Sequence, residues 1–169
     1  MQTIYEILAT DHRTVLNIID TIEKSESPER RKHLITLAHT ELAMHSKAEE
    51  EVFYRPLREQ TGDDGLLGHS FQEHDKIDAL LASLQFGSAE DAEWMRNLRE
   101  LRRVLEAHIA LEEKDVFALA QANFDDAEAF EIGAQMLEEK SRFAMPNPVN
   151  VALSKAKELL HGDNQTSSS

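Results

Sequence analysis

The sequence predicts an all-α fold, an up-down-up-down four-helix bundle with an additional C-terminal helix and a flexible tail. Glycine and proline are scarce, with six and four residues among 169, and they cluster where helices should end. The stretches between them carry apolar residues at steps of three, four or seven, which is the repeat of an amphipathic helix. Four such helices with short connections pack as a bundle of this topology.

A short turn joins the first two predicted helices. The first covers about residues 3–24, and its apolar stripe consists of Ile4, Leu8, Val15, Ile19 and Ile22. Ser27 followed by Pro28 is a favourable N-cap and first-turn pair for the second helix, which should end near Arg58. Its expected stripe consists of Leu34, Leu37, Ala38, Leu42, Ala48 and Val52. Pro56 should distort the last turns of this helix.

A loop with three glycines, residues 61–68, precedes the third predicted helix. That helix begins near residues 69–70 and stops at Gly87, and its stripe consists of Ile77, Leu80, Leu81 and Leu84. Ser88, with Asp91 three residues later, should open the fourth helix in the manner of a capping box. The fourth stripe consists of Trp94, Leu98, Leu101, Leu105, Val116 and Leu119.

The remaining chain should form a fifth helix and a tail. Asp125 with Glu128 caps a helix over about residues 127–143, which the following prolines terminate. A short helix is expected at about residues 149–160, and a disordered end from Gly162.

These elements divide the chain into three parts. We expect the bundle in residues 1–122, an additional helix packed on the bundle in residues 123–145, and the tail in residues 146–169. The apolar residues of the fifth helix that should cover a bundle face are Phe130, Ile132, Met136 and Leu137.

Composition and charge exclude several classes of partner. The formal net charge is −14, so the surface should repel nucleic acid and anionic lipid. No apolar run approaches the ~20 residues of a membrane helix, and the N-terminus lacks the pattern of a signal peptide. Absence of cysteine excludes disulfides, thiolate zinc sites and cysteine-ligated iron–sulfur clusters. We therefore expect a cytoplasmic protein without membrane or nucleic-acid partners, as a monomer or weak homodimer.

Each predicted bundle helix directs one histidine at the core. These histidines are His12, His45, His74 and His108. Glu49 follows His45 by four residues, and Glu112 follows His108 by four, so each pair shares one helix face. Both glutamates should therefore also enter the core.

A cation accounts for this cluster better than a purely structural role does. A single histidine on an apolar stripe is usually a hydrogen-bonded core residue, but two buried His–Glu pairs with two more histidines would be costly without a positive partner. The order also repeats, as His, then His-x-x-x-Glu, and an acidic residue precedes His12 and His74 alike. This repetition favours two metal ions related by a pseudo-two-fold axis, with each glutamate able to bridge both.

The ligand types narrow the choice of metal. Imidazole with carboxylate suits iron, manganese or zinc, whereas the absence of thiolate disfavours copper(I) and structural zinc. The carboxylate-rich helical di-iron plan with Glu-x-x-His on two helices does not occur in this sequence. The histidine-rich set is typical of iron that handles oxygen species.

These motifs resemble the hemerythrin-like family, often called the HHE cation-binding domain. The resemblance covers about residues 1–122 and rests on Asp11-His12, His45-Ser-Lys-Ala-Glu49-Glu50, Glu73-His74 and His108-Ile-Ala-Leu-Glu112-Glu113. It implies a four-helix bundle and a non-haem centre of two iron ions with an oxo or hydroxo bridge and two bridging carboxylates. By matching position, it implies that the iron ligands are His12, His45, Glu49, His74, His108 and Glu112.

The sequence departs from the oxygen-carrying members of that family. Those proteins place two histidines four apart on the third helix, whereas Ser70 lies four residues before His74 here. They also use His-x-x-x-x-Asp on the last helix, where this chain has His-x-x-x-Glu. The chain is most similar to the small, single-domain bacterial type.

A count of ligands favours turnover of a small molecule. Four histidines, two bridging glutamates and a bridging oxygen leave two of the twelve positions of a six-coordinate iron pair open, where iron can act as Lewis acid and redox centre. We expect a di-iron protein that handles small oxygen or nitrogen species and decomposes hydrogen peroxide. The alternatives are reversible binding of oxygen or nitric oxide, iron storage or sensing without turnover, and a helical interaction module with an incidental metal.

Two further side chains are candidates for the open positions. Tyr54 lies five residues after Glu49, about 140° away on an ideal helix, where it would be a packing residue. A wider turn at Pro56 would swing its phenol towards the metals as a ligand or proton donor. His69 lies five residues before His74 and would reach the site only from an irregular helix start. We expect the remaining histidines at the surface, namely His33, His39 and His161.

Overall fold

Four long helices enclose the core of the protein. The computed structural model describes residues 1–144, and its segments are α1 (Ile4–Lys24), α2 (Pro28–Glu49), the π-helix π1 (Glu50–Tyr54), α3 (Arg55–Thr61), α4 (Leu66–Phe86), α5 (Ala92–Leu111), the π-helix π2 (Glu112–Val116), α6 (Phe117–Asn123) and α7 (Asp126–Ala144). The segments of residues 28–61 follow one another without a break, as do those of residues 92–123. Both α2 and α5 contact α1 and α4, which closes the bundle. The predicted all-α bundle with an additional helix is confirmed.

Two of the predicted helix starts have the expected caps. The Ser27 hydroxyl accepts a hydrogen bond from the backbone N–H of Arg30, with Pro28 in the first turn. Before α7, the carboxylates of Asp125 and Glu128 each accept from the backbone N–H of the other residue, at 2.9 and 2.8 Å. These bonds satisfy N–H groups that have no partner within the helix.

Three boundaries differ from the prediction. The third bundle helix begins at Leu66 rather than near residues 69–70, because Asp63 accepts from the Leu66 N–H and satisfies an early turn. The fourth begins after Asp91, which adopts the extended cap conformation, so Ser88 is not its N-cap. The second helix continues to Thr61 and ends at Gly62, whose φ of 68° is left-handed and suits glycine.

The stripe predicted for the second helix was wrong at one position. Leu37 is 44% exposed, whereas Ile35 is buried. The inner face of α2 follows Ile35, Ala38 and Leu42, and Leu37 lies about 100° around the helix from Ala38.

A layer of polar residues divides the core into two apolar clusters. Along α1, Leu8 belongs to one cluster and Val15 to the other, with His12 between them. The other three bundle helices are divided in the same way, at His45 to Glu49, at His74, and at His108 to Glu112. The polar layer therefore crosses the whole bundle at one level.

The fifth helix packs outside the bundle, against α1, α2 and π1. Of the residues expected to cover the bundle, Ile132 and Met136 are buried, whereas Leu137 is exposed. A Cβ atom at Gly133 would lie 2.5 Å from the carbonyl oxygen of Gln2, so glycine permits a close approach to the start of α1.

Lys32 closes the other end of the bundle. Its ammonium group donates to the carbonyl oxygens of Leu84 and Gly87 at 3.2 and 2.8 Å, and also to that of Gln85. These carbonyls lie at the C-terminus of α4, where a cation is favourable.

The short helix expected at residues 149–160, the disordered end and His161 lie outside the described residues. Within residues 1–144, no helix combines the length and the apolar character that a membrane crossing requires.

Candidate metal centre

All six predicted ligands lie in the polar layer, and each is at most 5% exposed. They come from all four bundle helices: His12 from α1, His45 and Glu49 from α2, His74 from α4, and His108 with Glu112 from the α5–π2 junction. Helical spacing places each glutamate one turn from the histidine on its own helix. The structure therefore brings together the residues that the sequence pattern selected.

These side chains form two groups with the geometry to hold cations. His12, His45, Glu49 and Glu112 offer atoms within 4.8 Å of one another, and so do Glu49, His74 and His108. Because Glu49 belongs to both groups, its carboxylate could bridge two ions. Imidazole nitrogen and carboxylate oxygen are the donors that iron, zinc and manganese accept.

Several of these atoms lack any other partner. Among residues 1–144, the Nε2 atoms of His12 and His45, both carboxylate oxygens of Glu49 and Oε2 of Glu112 are buried without a hydrogen bond. An unsatisfied buried charge is costly. His12 Nε2 lies 3.0 Å from Glu112 Oε2, and His74 Nε2 lies 3.3 Å from Glu49 Oε2 and 3.2 Å from His108 Nε2, so the candidate ligand atoms converge. The donor set therefore fits metal ions placed between them.

A ring of four carboxylates orients the four imidazoles from outside. Each carboxylate lies on a helix next to that of the imidazole it contacts. In the order of the pairs given next, the distances from the carboxylate oxygen to Nδ1 are 3.1, 2.7, 2.9 and 2.9 Å. In chain order the pairs are Asp11 with His45, Glu50 with His74, Glu73 with His108, and Glu113 with His12. The last pair returns from the fourth helix to the first and closes the ring.

This ring, which we call the acid ring, fixes the protonation of the imidazoles. An ionised carboxylate only accepts hydrogen bonds, so each Nδ1 must carry the proton and donate it. Nε2 is then the atom left for a metal, and the acidic partner increases its basicity. Acidic residues beside His12 and His74 were apparent in the sequence, but no role was predicted for them. Each carboxylate of the acid ring directly precedes or follows one of the six core residues in the sequence, and this was the available signal.

One π-helix begins directly after Glu49, and the other begins at Glu112. In π1, the N–H of Arg55 bonds to the carbonyl of Glu50, and in π2 that of Phe117 bonds to the carbonyl of Glu112, five residues back in each case. A distortion near Pro56 was predicted, with a wider turn as one alternative, whereas π2 contains no proline and was not predicted. Short π-helices often occur at functional sites.

The wider turn at π1 buries Tyr54 completely. Its hydroxyl donates to Glu112 Oε1 at 2.7 Å, and its ring stacks on the imidazole of His74, with centroids 5.4 Å apart. Burial and the negative charges of Glu49 and Glu112 raise the pKa of Tyr54 well above its ordinary value. Without a metal, the phenol therefore retains its proton. Its position beside a candidate ligand suits either role suggested by the sequence.

The pKa values of the imidazoles reflect a cluster built around negative charge. Burial opposes protonation of His12, but Glu112 and Glu49 outweigh burial and raise its pKa to about 9. In the same way, Glu49 and Glu50 raise the pKa of His74 to about 10 against the effect of burial. His45 differs, because burial prevails and lowers its pKa to about 4.

The two glutamates titrate in opposite directions. Burial and the charge of Glu112 raise the pKa of Glu49 to about 8. Burial also acts against ionisation of Glu112, but contacts with His12 and other neighbours hold its pKa below the usual range. At neutral pH, protons shared among His12, His74 and Glu49 thus occupy the centre that cations would take.

Two residues outside the layer contact the acid ring. His69 is 57% exposed and lies 3.3 Å from Glu73, so the structure does not place it among the candidate ligands. Lys140 on α7 donates to both oxygens of Asp11 at 2.7 Å, and this contact was not predicted from the sequence.

Ser70 is buried and donates to the carbonyl of Leu66. Of the other histidines, His33 is exposed and His39 is half-buried.

The fold and the centre define a helical-bundle protein with a buried cluster of imidazoles and carboxylates that could hold cations. The sequence matches the family described as the hemerythrin HHE cation-binding domain over residues 3–120. The chain belongs to this family.

Two relatives illustrate the range of its similarity. The crystal structure of a hemerythrin HHE cation-binding domain-containing protein from Mycobacterium kansasii superimposes with a TM-score of 0.73, at 25% identity, over 85% of this chain and 88% of that one. A DNA nickase from Nostoc sp. is 23% identical over 139 residues, which are 82% of this chain and 39% of that protein. The chain thus spans about two fifths of the length of the nickase.

Proposed function

We propose that this protein binds two iron ions joined by an oxo or hydroxo bridge and that it decomposes hydrogen peroxide. The proposed ligands of the iron ions are His12, His45, Glu49, His74, His108 and Glu112. The observation that carries the proposal is the Tyr54 hydroxyl, which donates to Glu112 Oε1 at 2.7 Å beside a ligand set that leaves coordination positions open. A proton donor at such a site suits a reaction that moves protons.

The chain's own residues supply positioning and proton transfer. Bound iron would act as a Lewis acid and redox centre. Disproportionation converts two molecules of hydrogen peroxide into two of water and one of dioxygen, so one oxygen must gain protons while another loses them. Tyr54 holds a proton on its Oη atom that it could give to a peroxide oxygen and later regain, and its hydrogen bond to Glu112 Oε1 keeps the hydroxyl beside the ligand set. The apolar clusters on both sides keep bulk water from the layer.

The alternative is reversible binding of oxygen or nitric oxide, or iron storage or sensing without turnover. The walls around the four imidazoles include Val15, Leu42, Ile77 and Leu105, which suit a small neutral gas as well as they suit peroxide. We expect no nucleic-acid activity, because the net charge of −14 opposes binding to a phosphate backbone. The similarity to the nickase covers 39% of that protein, and its name describes an activity of the whole nickase.

The test is anaerobic purification with metal analysis, followed by parallel assays with peroxide, oxygen and nitric oxide. We expect about two iron ions per chain, a ferric band in the near ultraviolet, and oxygen release from peroxide faster than with the same concentration of free iron. Glu49→Ala and Glu112→Ala should lower iron content and stability together. Glu51→Ala is the matched control, because Glu51 is exposed two residues after Glu49.

Two outcomes would contradict the proposal. A stable chain that takes up no iron on reconstitution removes the di-iron centre. Peroxide decomposition no faster than the free-iron control, together with a stable and reversible oxygen adduct, favours the binding alternative.

A further inference from the structure

A narrow cavity leads into the polar layer from one side of the bundle. The side chains of His12, His45, His74 and His108 all line it, together with apolar residues of all four helices. The space open to the centre of a water-sized molecule is about 20 Å³, which is room for about one water molecule. His12 and His45, whose Nε2 atoms lack hydrogen bonds among the described residues, belong to this lining.

The polar part of the lining identifies the side on which the cavity opens. Apart from the histidines, its polar residues are Asp11, Thr14, Glu41 and Ser46, all on α1 or α2. Thr14 is exposed, and Asp11 and Glu41 are half-buried. From α4 and α5 the cavity receives only histidines and apolar side chains. It therefore connects the candidate centre with the surface between α1 and α2.

The internal repeat shows how this side of the bundle differs from the equivalent side. Residues of α1 correspond to those of α4 at a separation of 62, as Asp11 does to Glu73, and residues of α2 correspond to those of α5 at a separation of 63. At the equivalent positions, Thr14 is replaced by Lys76, and Ser46 by Ile109. The two halves thus differ at polar positions of the lining, and Lys76, which pairs with Glu100 at the surface, is not among the residues that line the cavity.

The charges at the mouth favour uncharged molecules. Lys140 pairs with Asp11 and neutralises one carboxylate. Glu41 has no ion-pair partner in the part of the chain that the structure describes, so its charge remains at the opening. A negative charge beside a narrow, largely apolar passage repels anions and leaves neutral molecules unaffected.

We propose that the cavity between α1 and α2 is the route by which a small uncharged molecule reaches the metal centre, and that Glu41 at its mouth discriminates against anions. This proposal rests on the proposed function and names its substrate class, a neutral molecule of about two heavy atoms. Thr14 and Glu41 are then specificity-determining residues that touch the substrate only during passage.

The test measures binding kinetics on the iron-loaded full chain, with nitric oxide as the neutral probe and azide as the anion. Thr14→Phe should slow both association and dissociation of nitric oxide about tenfold, which corresponds to about 1.4 kcal/mol in each barrier, and leave the Kd unchanged. Lys76→Phe, at the equivalent position of the other half, should change neither rate. A loss of packing alone would alter the Kd or the iron content instead.

The second arm tests the charge. Glu41→Gln should speed azide association about two- to threefold at low ionic strength and leave nitric oxide unaffected, and high salt should remove the difference. Glu26→Gln, in the turn after α1, is the matched control. Unchanged nitric oxide rates in Thr14→Phe, or equal slowing in Lys76→Phe, would overturn the route, and unchanged azide rates in Glu41→Gln would overturn the discrimination. An iron-loaded parent that binds neither probe contradicts the proposed function itself, and the route falls with it.

Discussion

Lys140 and Asp11 join the additional helix to the acid ring. The ammonium group of Lys140 lies 2.7 Å from both carboxylate oxygens of Asp11, and Asp11 accepts from Nδ1 of His45 at 3.1 Å. Burial would raise the pKa of Asp11, but His45 and Lys140 outweigh burial and lower it. The contact keeps Asp11 ionised and in place, so α7 supports one of the four imidazoles.

Replacing Lys140 with methionine should weaken metal binding at the His12–His45 group. Without the Lys140 ammonium group, Asp11 would hold the His45 ring less firmly. We therefore expect the affinity of the His12–His45 group for its metal ion to fall roughly three- to tenfold. Isothermal titration of the metal-free protein with ferrous ions measures this affinity. Lys47→Met is the matched control, because Lys47 also contacts α7, over the ring of Phe143 at 4.4 Å, but not Asp11. Equal effects of the two variants would show that only packing of α7 matters.

Loss of one carboxylate from the acid ring should affect the opposite group. Glu73→Gln replaces the ionised acceptor of His108 by a neutral amide, which lowers the basicity of Nε2. We expect metal affinity to fall about 10–100-fold, with little change in the helical content of the metal-free protein. Asp75→Asn, an exposed position two residues further along α4, should leave the affinity unchanged. Wild-type affinity in Glu73→Gln would remove the orienting role.

Tyr54 can be tested against the one other tyrosine of the chain. If the phenol is a ligand, Tyr54→Phe should remove a visible phenolate-to-iron band at near-normal iron content. If it is a proton donor, peroxide decomposition should fall about 100-fold without a spectral change. Tyr5→Phe is the control, since the Tyr5 hydroxyl is buried without a hydrogen bond in residues 1–144. A Tyr54→Phe variant with the parent's spectrum and activity would make Tyr54 a packing residue.

Metal binding should release protons. At pH 7 the metal-free centre holds protons that metal ions would displace, because carboxylate neighbours raise the pKa of His12 to about 9 and of His74 to about 10, and burial raises that of Glu49. Cations require the deprotonated atoms, so loading should release protons at pH 7 and fewer at pH 9. For the same reason the apparent affinity should rise with pH over this range. Anaerobic titration with ferrous ions in weakly buffered indicator solution measures the release, and a pH-independent value would contradict the assignment.

Lys32 should matter for stability independently of any metal. Lys32→Met removes three hydrogen bonds from an ammonium group to carbonyls at the end of α4, and we expect a loss of about 1.5–3 kcal/mol in the free energy of unfolding. Lys24→Met removes an exposed pair with Asp20 and should reduce stability much less, because solvent screens a surface ion pair. Chemical denaturation of the metal-free proteins compares the two. Equal losses would mean that the Lys32 contacts are no stronger than a surface pair.

The sequence identified the core cluster because the information is local. Each of the six residues falls on the apolar stripe of its own helix, so helical periodicity alone directs His12 or Glu112 inwards. The distortion predicted near Tyr54 was also local, since it followed from Pro56. π2 escaped prediction because the sequence there, from Glu112 to Val116, contains no residue that disrupts a helix.

The contacts between helices could not be obtained in this way. Glu50 and His74 are 24 residues apart, Glu113 and His12 are 101 apart, and Lys140 and Asp11 are 129 apart. Their pairing depends on the rotation and axial position of whole helices, which packing of the two apolar clusters decides. For the same reason the cavity between α1 and α2 has no signature in either helix alone.

The acid ring joins two equivalent helical hairpins. Asp11–His45 and Glu73–His108 lie within a hairpin, whereas Glu50–His74 and Glu113–His12 connect one hairpin to the other. Two copies of a single hairpin, related by a two-fold axis, would offer each other the same connecting bonds, but would separate on dilution. In this chain the short connection at residues 62–65 replaces that bimolecular encounter, so the halves meet at a high effective concentration that is independent of how much protein is present. The two halves of the metal centre consequently remain assembled at any dilution at which the chain is folded.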